Sequence, residues 1–311
     1  MAEYNSKVLI IGSGPAGYTS AIYTARAGLN PILVSGSEIG GQLTLSEAVE
    51  NYPGFIKSTS GRDLMDIMKK QTAELDVTII NDKIVEVDFQ KRPFECSSEN
   101  HNVFYASCII IATGASAKWL DIASETKYRG FGVSSCATCD GYFYRNKDVV
   151  VIGGCNTAAE EALYLTNFAR SVTMIHRRDN LRADLSLQEK LRQNSKITIK
   201  YDYTVEEIIG SENPPNVEGL RIKNVKSDKT EILKTDGIFI AIGHRPNTEI
   251  FKNHLELDQY GYIKTHPDSC ATNVEGVFAA GDVKDPEFRQ AIIAAGSGAI
   301  AAIEATRWLK K

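Results

Sequence analysis

Residues 7–17 read KVLIIGSGPAG, an apolar run that ends in a glycine-rich turn. The run predicts a buried strand, and the alanine-rich segment that follows to about Ala27 predicts a helix. A G-x-G-x-x-G turn in this context is typical of dinucleotide binding, because Gly14 lets the backbone approach a pyrophosphate and Gly17 lets helix and strand pack closely. The anion would lie at the helix N-terminus. We therefore expect a dinucleotide site at Gly12, Ser13, Gly14, Pro15, Ala16 and Gly17.

The same pattern returns 141 residues later, counting from Gly12 to Gly153, where the strand 148–152 runs into GGCNTA. Later signatures also repeat, since ATG at 112–114 is matched by AIG at 241–243. A repeat of this length predicts two related dinucleotide-binding units, and hence an α/β protein with two Rossmann-like three-layer domains. In the second turn Cys155 stands where the middle glycine belongs, and its β-carbon would weaken or displace the pyrophosphate contact.

The two units are expected to bind different ligands. After the second unit's next strand, residues 171–175, come His176, Arg177 and Arg178, with Arg182 close behind. Arginines at this strand end accommodate a 2′-phosphate, so the second unit is predicted to bind NADPH. The first unit has no basic residue at the equivalent place, where Glu38 is the candidate partner of an adenosine ribose. Its ligand is predicted to be FAD.

Segments near the C-terminus also indicate FAD. The strand that starts near Gly276 ends in Gly281 and Asp282, and the Asp282 carboxylate can hold a ribityl hydroxyl by a charge-assisted hydrogen bond. Arg289, Gln290 and Ala291 then open a helix that runs to about Leu309 and whose N-terminus can stabilise negative charge on a reduced flavin.

Because these segments follow the second unit, the NADPH-binding domain is predicted to be inserted into the FAD-binding domain. The predicted boundaries are 1–117 with 247–311 for the FAD-binding domain and 118–246 for the NADPH-binding domain. The two chain crossings are expected near Ala115–Leu120 and Arg245–Thr248, beside glycine-containing turns that suit a hinge.

Residues 136–141 read CATCDG and place two cysteines at a spacing that can close a small disulfide ring. In a reducing compartment such a pair is more often redox-active or metal-binding than a structural brace. A zinc site would need a second pair of ligands, and Cys96 and Cys108 are too far apart in sequence to supply a second C-x-x-C. Asp140, directly after the second cysteine, suits a proton donor beside a thiolate. We therefore expect redox chemistry and no metal.

Composition excludes several classes of function. The chain has 311 residues and a formal net charge of -4, which gives no support for nucleic-acid binding. No apolar run approaches the ~20 residues of a membrane span, and the N-terminus lacks the features of a secretory signal. The remaining cysteines are scattered, so no disulfide framework is implied and a cytoplasmic location is expected.

Taken together, the motifs GSGPAG (12–17), GGQL (40–43), ATGA (112–115), CATCDG (136–141), HRRD (176–179), AIGHRPNT (241–248), AAGDV (279–283) and RQA (289–291) resemble the bacterial low-molecular-weight thioredoxin reductases along the whole chain. The resemblance implies that electrons pass from NADPH to FAD, then to a Cys136–Cys139 disulfide, and then to thioredoxin. It implies that Cys139 lies against the flavin, that Cys136 attacks thioredoxin and that Asp140 protonates a departing thiolate. It also implies a homodimer and rotation of one domain on the other during turnover.

The motifs and the resemblance together predict the cofactor contacts. In the FAD-binding domain they are expected, besides the glycine turn, at Ser35, Gly36, Glu38, Gly40, Gly41, Gln42, Leu43, Asn51, Thr113, Gly114, Ala115, Gly281, Asp282, Arg289, Gln290 and Ala291. In the NADPH-binding domain they are expected at Gly154, Asn156, Thr157, His176, Arg177, Arg178, Arg182, Ile242 and Gly243.

Three other functions fit the sequence less well. A flavin dithiol oxidase that passes electrons to oxygen would not need the arginines of HRRD. The reductase module of a peroxide-reducing flavoprotein would carry a thioredoxin-like N-terminal domain, whereas this sequence starts on the first dinucleotide-binding strand. The third alternative is a redox sensor that binds nucleotides without catalysis. An assay of NADPH oxidation with thioredoxin distinguishes it from an enzyme.

Overall fold

The computed structural model describes all residues from Met1 to Lys311, and the chain divides into two compact units. The first unit comprises Met1–Ser116 and Arg245–Lys311, and the second comprises Ala117–His244. Each unit contains a sheet with a parallel core that packs on helices through one face, and the predicted α/β class is confirmed. That these units are the FAD-binding and NADPH-binding domains, with the boundaries given above, stays a prediction.

The elements follow one another in an alternating order typical of α/β proteins. From the N-terminus these are β1 (Glu3–Ile11), α1 (Pro15–Arg26), β2 (Ile32–Val34), α2 (Gly61–Ala73), β3 (Thr78–Ile80), β4 (Ile84–Asp88), β5 (Phe94–Ser98), β6 (Val103–Ile111) and β7 (Ala115–Ala117). The second unit continues with α3 (Ala123–Tyr128), β8 (Val133–Ser134), α4 (Ala137–Asp140), β9 (Asp148–Gly153), α5 (Asn156–Leu165), β10 (Ser171–His176), α6 (Leu185–Gln193), β11 (Ile197–Tyr201), β12 (Tyr203–Glu212), β13 (Pro215–Asn224), β14 (Thr230–Lys234) and β15 (Gly237–Ala241). The chain ends with β16 (His244–Pro246), β17 (Val277–Ala279) and α7 (Ala291–Trp308).

The main sheet of the first unit has the order β3-β2-β1-β6-β5-β4, and β17 also pairs with β6. The pairs β3–β2, β2–β1, β1–β6 and β6–β17 are parallel, whereas β4 and β5 are antiparallel additions. Residues 8–10 of β1 and 109–111 of β6 are fully buried. Such continuous apolar runs are expected of parallel strands that are covered on both faces. One face packs on α1, α2 and α7.

The second unit repeats this plan in a smaller sheet. Its order is β11-β10-β9-β15-β8, and its pairs are all parallel. Helix α5 packs on one face through Ala158, Ala159 and Ala162, which are fully buried. The other face is covered by the antiparallel sheet β12-β13-β14.

The sequence repeat corresponds to a structural repeat at the two glycine turns. Gly12 follows β1 with φ +114°, and a β-carbon there would overlap the carbonyl oxygen of Ala112. Gly153 ends β9 with φ +159°, and a β-carbon there would overlap the carbonyl oxygen of Ala241. The same close approach between neighbouring strand ends therefore requires glycine at both positions.

The two crossings between the units are short strands. Strands β7 and β16 form a two-stranded sheet of their own.

No helix combines the length and the apolar character that a membrane crossing needs.

Candidate functional site

Most of the predicted FAD contacts lie at one edge of the first unit's sheet. Strands β1, β2, β6 and β17 are mutually parallel, so the turns that follow them meet at their carboxyl ends. Backbone hydrogen bonds tie these turns together: the amide of Gly12 donates to Val34 and that of Ala280 donates to Ile111. Since β1 has β2 on one side and β6 on the other, the strand order reverses at β1, and open α/β sheets bind ligands at such a point.

Ser13 holds the turn in place from inside the protein. Its side chain is buried, and its hydroxyl donates to the carbonyl of Ser35 at 2.8 Å. The same hydroxyl accepts from the amide of Gly40 at 3.0 Å. Ser13 therefore joins two further predicted FAD segments, at residues 35 and 40, to the glycine turn.

The space above the turn is shaped as a dinucleotide cradle. A β-carbon on Gly17 would overlap the carbonyl of Gly12, whereas a β-carbon on Gly14 would meet no protein atom within 4 Å. Helix α1 begins here without a side-chain cap, so its first backbone N–H groups have no intrahelical partner. Open space beside free N–H groups at a helix N-terminus is what a pyrophosphate requires.

Other predicted residues of the first unit are joined in pairs. The Asn51 amide donates to the Gln290 side chain at 3.3 Å, which brings two distant motifs together. The Gln42 amide donates to Glu38 at 2.7 Å, so the proposed ribose acid is held by a second predicted contact. Thr113 and Asn247 exchange two hydrogen bonds of 2.8 Å; Asn247 belongs to the AIGHRPNT motif but is not among the predicted contacts.

Asp282 follows β17 in a short 3₁₀ turn, Gly281–Val283. The Gly281 backbone has φ +76°, and its amide donates to the Ser297 hydroxyl at 2.7 Å. Burial raises the pKa of Asp282 to about 6, with a smaller raising effect from the charge of Asp285 and an opposing effect from Arg289. This carboxyl group is therefore held in a strongly desolvated position at the carboxyl edge of the sheet.

In the second unit the predicted NADPH contacts gather at the carboxyl ends of β9, β10 and β15. The Gly154 carbonyl accepts from the amides of Arg182 at 2.7 Å and Ala183 at 3.1 Å, which brings the arginine-bearing loop onto the glycine turn. The His176 ring packs so closely on Gly154 that a β-carbon there would overlap it. Helix α5, like α1, begins without a side-chain cap.

The segment between β10 and α6, residues 177–184, is called the arginine loop. It carries positive charge that no ion pair neutralises. Arg177, Arg178 and Arg182 are exposed, and none of the three guanidinium groups takes part in an ion pair. The neighbouring acid Asp179 lies instead 3.5 Å from Lys226. Burial lowers the pKa of His176, and the charges of Arg182 and Arg178 lower it further, while backbone hydrogen bonds partly oppose this. The buried Nε2 of His176 has no hydrogen-bond partner.

Cys155 lies at the N-cap of α5 with φ -94°, an ordinary value for any residue. Its thiol points to the carbonyl of Ala241, with the sulfur 3.8 Å from the oxygen. Cys155 is half-buried, whereas the free thiols of Cys96, Cys108 and Cys270 are buried. The β-carbon at this position thus takes up room that Gly14 leaves open in the first unit.

The CATC segment belongs to the second unit and forms a disulfide. Cys136 and Cys139 are bonded with their Cα atoms 5.3 Å apart, at the N-cap and in the single turn of α4. The amide of Cys136 donates to the Ser134 hydroxyl at 3.0 Å. Ala137 is fully buried, and Gly141 lies where a β-carbon would crowd Leu165 of α5. The redox pair is therefore packed against the helix that leaves the predicted NADPH turn.

Asp140 follows the disulfide and is partly buried. Burial raises the pKa of Asp140, an effect that the Ser134 hydroxyl partly offsets. Burial together with the nearby charges of Asp140 and Asp236 also raises the pKa of Tyr144. Asp140 thus keeps its proton to a higher pH than an exposed aspartate, as a proton donor beside a thiolate should.

Residues 6–298 match the pyridine nucleotide-disulphide oxidoreductase family, and the chain belongs to that family. Within the family its relatives are thioredoxin reductases. That of Rickettsia conorii is 53% identical over 99% of this chain and 100% of its own length. That of Escherichia coli O157:H7 is 49% identical over 98% of this chain and 96% of its own. The structure of the Giardia duodenalis thioredoxin reductase superposes with a TM-score of 0.93 at 39% identity, covering 99% of this chain and 100% of that one.

FAD and NADPH are the groups that this family implies, and the residues present fit both. The open cradle at Gly14 and the uncapped start of α1 suit the pyrophosphate of FAD. The three unpaired arginines beside an unpartnered His176 Nε2 suit the 2′-phosphate of NADPH. The individual contacts predicted from the sequence stay predictions.

Proposed function

We propose that this protein is an NADPH-dependent thioredoxin reductase that uses FAD and the Cys136–Cys139 pair. The observation that carries the proposal is the disulfide of the CATC segment, which lies in the same compact unit as the arginine loop. The names of the relatives support thioredoxin as the substrate.

In the proposed mechanism the glycine turn, Asp282 and the N-terminus of α7 hold FAD, and the arginine loop holds NADPH. When bound, FAD supplies the hydride acceptor that takes two electrons from NADPH and delivers them to the Cys136–Cys139 disulfide. The protein's own groups carry out the remaining steps.

The dithiol reduces thioredoxin in two exchange steps. The Cys136 thiolate attacks one sulfur of the thioredoxin disulfide, forming a mixed disulfide and releasing one thioredoxin thiolate. The Cys139 thiolate then attacks the sulfur of Cys136, which re-forms the 136–139 bond and releases the second thiolate. Two electrons have then moved from the dithiol to thioredoxin, and Asp140 donates a proton to a departing thiolate.

The surface around the redox pair suits a protein substrate. Tyr142 and Phe143 directly follow the CATCDG segment, and both are exposed, as is Phe131 shortly before it. Exposed aromatic side chains supply contact area at protein interfaces. We propose that these three residues contact thioredoxin.

We further propose that the protein works as a homodimer in the cytoplasm. Helix α7 carries exposed isoleucines at positions 292, 300 and 303, which lie along one side of the helix, and a second copy of the chain would cover them. Four cysteines remain as free thiols, as is usual in a reducing compartment. Analytical ultracentrifugation of the protein and of Ile300→Glu tests the dimer, which this substitution should weaken.

The decisive experiment measures NADPH oxidation by the FAD-loaded protein with oxidised thioredoxin. Turnover is expected only when thioredoxin is present, and Cys136→Ser or Cys139→Ser should abolish it. In both variants NADPH should still bleach the flavin absorbance, because the arginine loop and the FAD cradle are unchanged. NADPH oxidation that proceeds equally well with oxygen alone would instead favour the dithiol oxidase.

A further inference from the structure

The predicted NADPH contact Asn156 is bonded to Asp184, a residue to which the proposed function assigns no role. The Asn156 side-chain amide donates to a carboxylate oxygen of Asp184 at 2.8 Å. In return, the Asp184 backbone amide donates to the Asn156 side-chain oxygen at 2.9 Å. This reciprocal pair joins the first residue of α5 to the residue that precedes α6.

Asp184 is diverted from the role that its position predicts. It is the N-cap residue of α6, and aspartate at this position usually accepts a hydrogen bond from the first turn of its own helix. Here the carboxylate makes no such cap and bonds Asn156 instead. The Asp184 carboxylate therefore links α5 to the start of α6 instead of capping α6.

The Asn156–Asp184 pair holds the C-terminal end of the arginine loop. Both Arg182 and Ala183 donate backbone hydrogen bonds to Gly154, immediately before Asp184 reaches Asn156. At the near end, the Arg178 carbonyl accepts from the amide of Asp202 at 3.1 Å. The loop is thus anchored at both ends, while its three guanidinium groups remain without ion pairs.

We propose that the Asn156–Asp184 pair is a positioning device that sets the arginine loop for the 2′-phosphate and so establishes the preference for NADPH over NADH. This rests on the proposed function, because it assumes that the loop binds a 2′-phosphate. Asp184 touches no reacting atom in this scheme. It acts by limiting the motion of the Arg182 backbone. Because this backbone is already fixed, the Arg182 side chain loses less conformational freedom when a ligand binds.

Charge and geometry make opposite predictions for Asp184, which allows a clean test. The variants Asp184→Ala and Asp184→Asn each remove one negative charge near an anion site, so a purely electrostatic role predicts tighter anion binding in both. Only Asp184→Asn keeps an oxygen that can accept from Asn156. A positioning role therefore predicts that the alanine variant alone is impaired.

The probe is adenosine 2′-monophosphate, titrated by calorimetry into the FAD-loaded protein, with NAD⁺ as the ligand that lacks a 2′-phosphate. We expect Asp184→Ala to raise the Kd of the probe about fivefold, the effect of roughly one lost hydrogen bond. Asp184→Asn should stay within about twofold of the parent, and NAD⁺ binding should be the same in all three proteins. Asp179→Ala, in the same loop and paired with Lys226, is the matched control and should not weaken the probe.

Equal Kd values for Asp184→Ala and Asp184→Asn, or tighter binding by both, would overturn the positioning role while leaving the proposed function intact. Failure of the parent protein to prefer NADP⁺ over NAD⁺ would instead refute the proposed function, and the positioning role with it.

Discussion

Gly298 of α7 lies directly against Ala16 of α1. A β-carbon on Gly298 would overlap the Ala16 backbone, and the Ser20 hydroxyl donates to the Gly298 carbonyl at 3.0 Å. Since Ala16 is part of the glycine turn, the position of the predicted FAD site depends on how closely these two helices approach.

Gly298→Ala should therefore push the helices apart, destabilise the protein by about 1–3 kcal/mol and weaken FAD binding. Gly296→Ala is a matched control on the same helix, since a β-carbon there meets nothing within 4 Å. The control should be neutral or more stable by about 0.5–1 kcal/mol, because alanine favours a helix interior. Urea unfolding with and without FAD measures both effects. Equal stability in the two variants would contradict the packing argument.

Asp282 predicts how FAD binding depends on pH. Its pKa is raised from 3.8 to about 6, so the carboxylate is present at pH 7 and becomes protonated as the pH falls through about 6. A neutral carboxyl cannot make the charge-assisted hydrogen bond proposed for the ribityl chain. The Kd of FAD should thus rise as the pH is lowered from 7 to 5, by at most about tenfold per pH unit.

The same shift has the opposite sign for the protein without FAD. An acid whose pKa is higher in the folded state costs stability when it ionises, so this cost disappears as the pH falls below about 6. Flavin fluorescence quenching gives the Kd, and urea unfolding of the apoprotein gives the stability. In Asp282→Asn both pH dependences should flatten. If both the Kd of FAD and the unfolding free energy kept the parent's pH dependence in Asp282→Asn, Asp282 would not be the titrating group.

Cys155→Gly should improve the use of NADPH. Removing the β-carbon restores the open space that the first unit has at Gly14, and the KM for NADPH should fall roughly fivefold, which corresponds to the lower range of overpacking costs. Cys155→Ala, which keeps the β-carbon and removes only the sulfur, is the control. Its KM for NADPH should be close to that of the parent protein. Identical values for glycine and alanine would assign the effect to the sulfur.

Replacing Arg177 and Arg178 together by alanine should raise the KM for NADPH by about 100-fold or more, since two hydrogen bonds to a charged group are lost and each is worth about 1.5–3 kcal/mol. The KM for NADH should change little, because NADH has no 2′-phosphate. Arg192→Ala removes an arginine of α6 that pairs with Glu189 and should affect neither cofactor. A similar rise for NADH and NADPH would argue against recognition of the 2′-phosphate by these arginines.

The sequence predicted the parts of the fold that depend on local pattern. The glycine turns, the strand–turn–helix order and the repeat could be predicted because apolar periodicity and glycine spacing act over a few residues. Some bounds were close, since the second strand begins at Ile32 rather than Pro31 and the last helix ends at Trp308 rather than Leu309. The first strand, predicted from Lys7, begins four residues earlier at Glu3.

What the sequence did not predict are contacts between residues that are distant in the chain. Asn247 binds Thr113 across 134 positions, and Ser297 orients Gly281 across 16. Asp184 has the sequence signature of a helix cap, and only the fold reveals that its carboxylate bonds Asn156. Such hydrogen bonds depend on tertiary packing, which a local pattern does not encode.

The distribution of the free cysteines has a practical consequence for spectroscopy. Burial raises the pKa of Cys96 to about 12 and that of Cys270 to about 11, and Cys108 is raised as well, so these thiols resist alkylation at neutral pH. With the 136–139 bond oxidised, a maleimide dye or nitroxide added to the native protein should therefore attach at Cys155 alone. The unmutated chain thus carries a single native position for a reporter group, beside the turn predicted to bind NADPH.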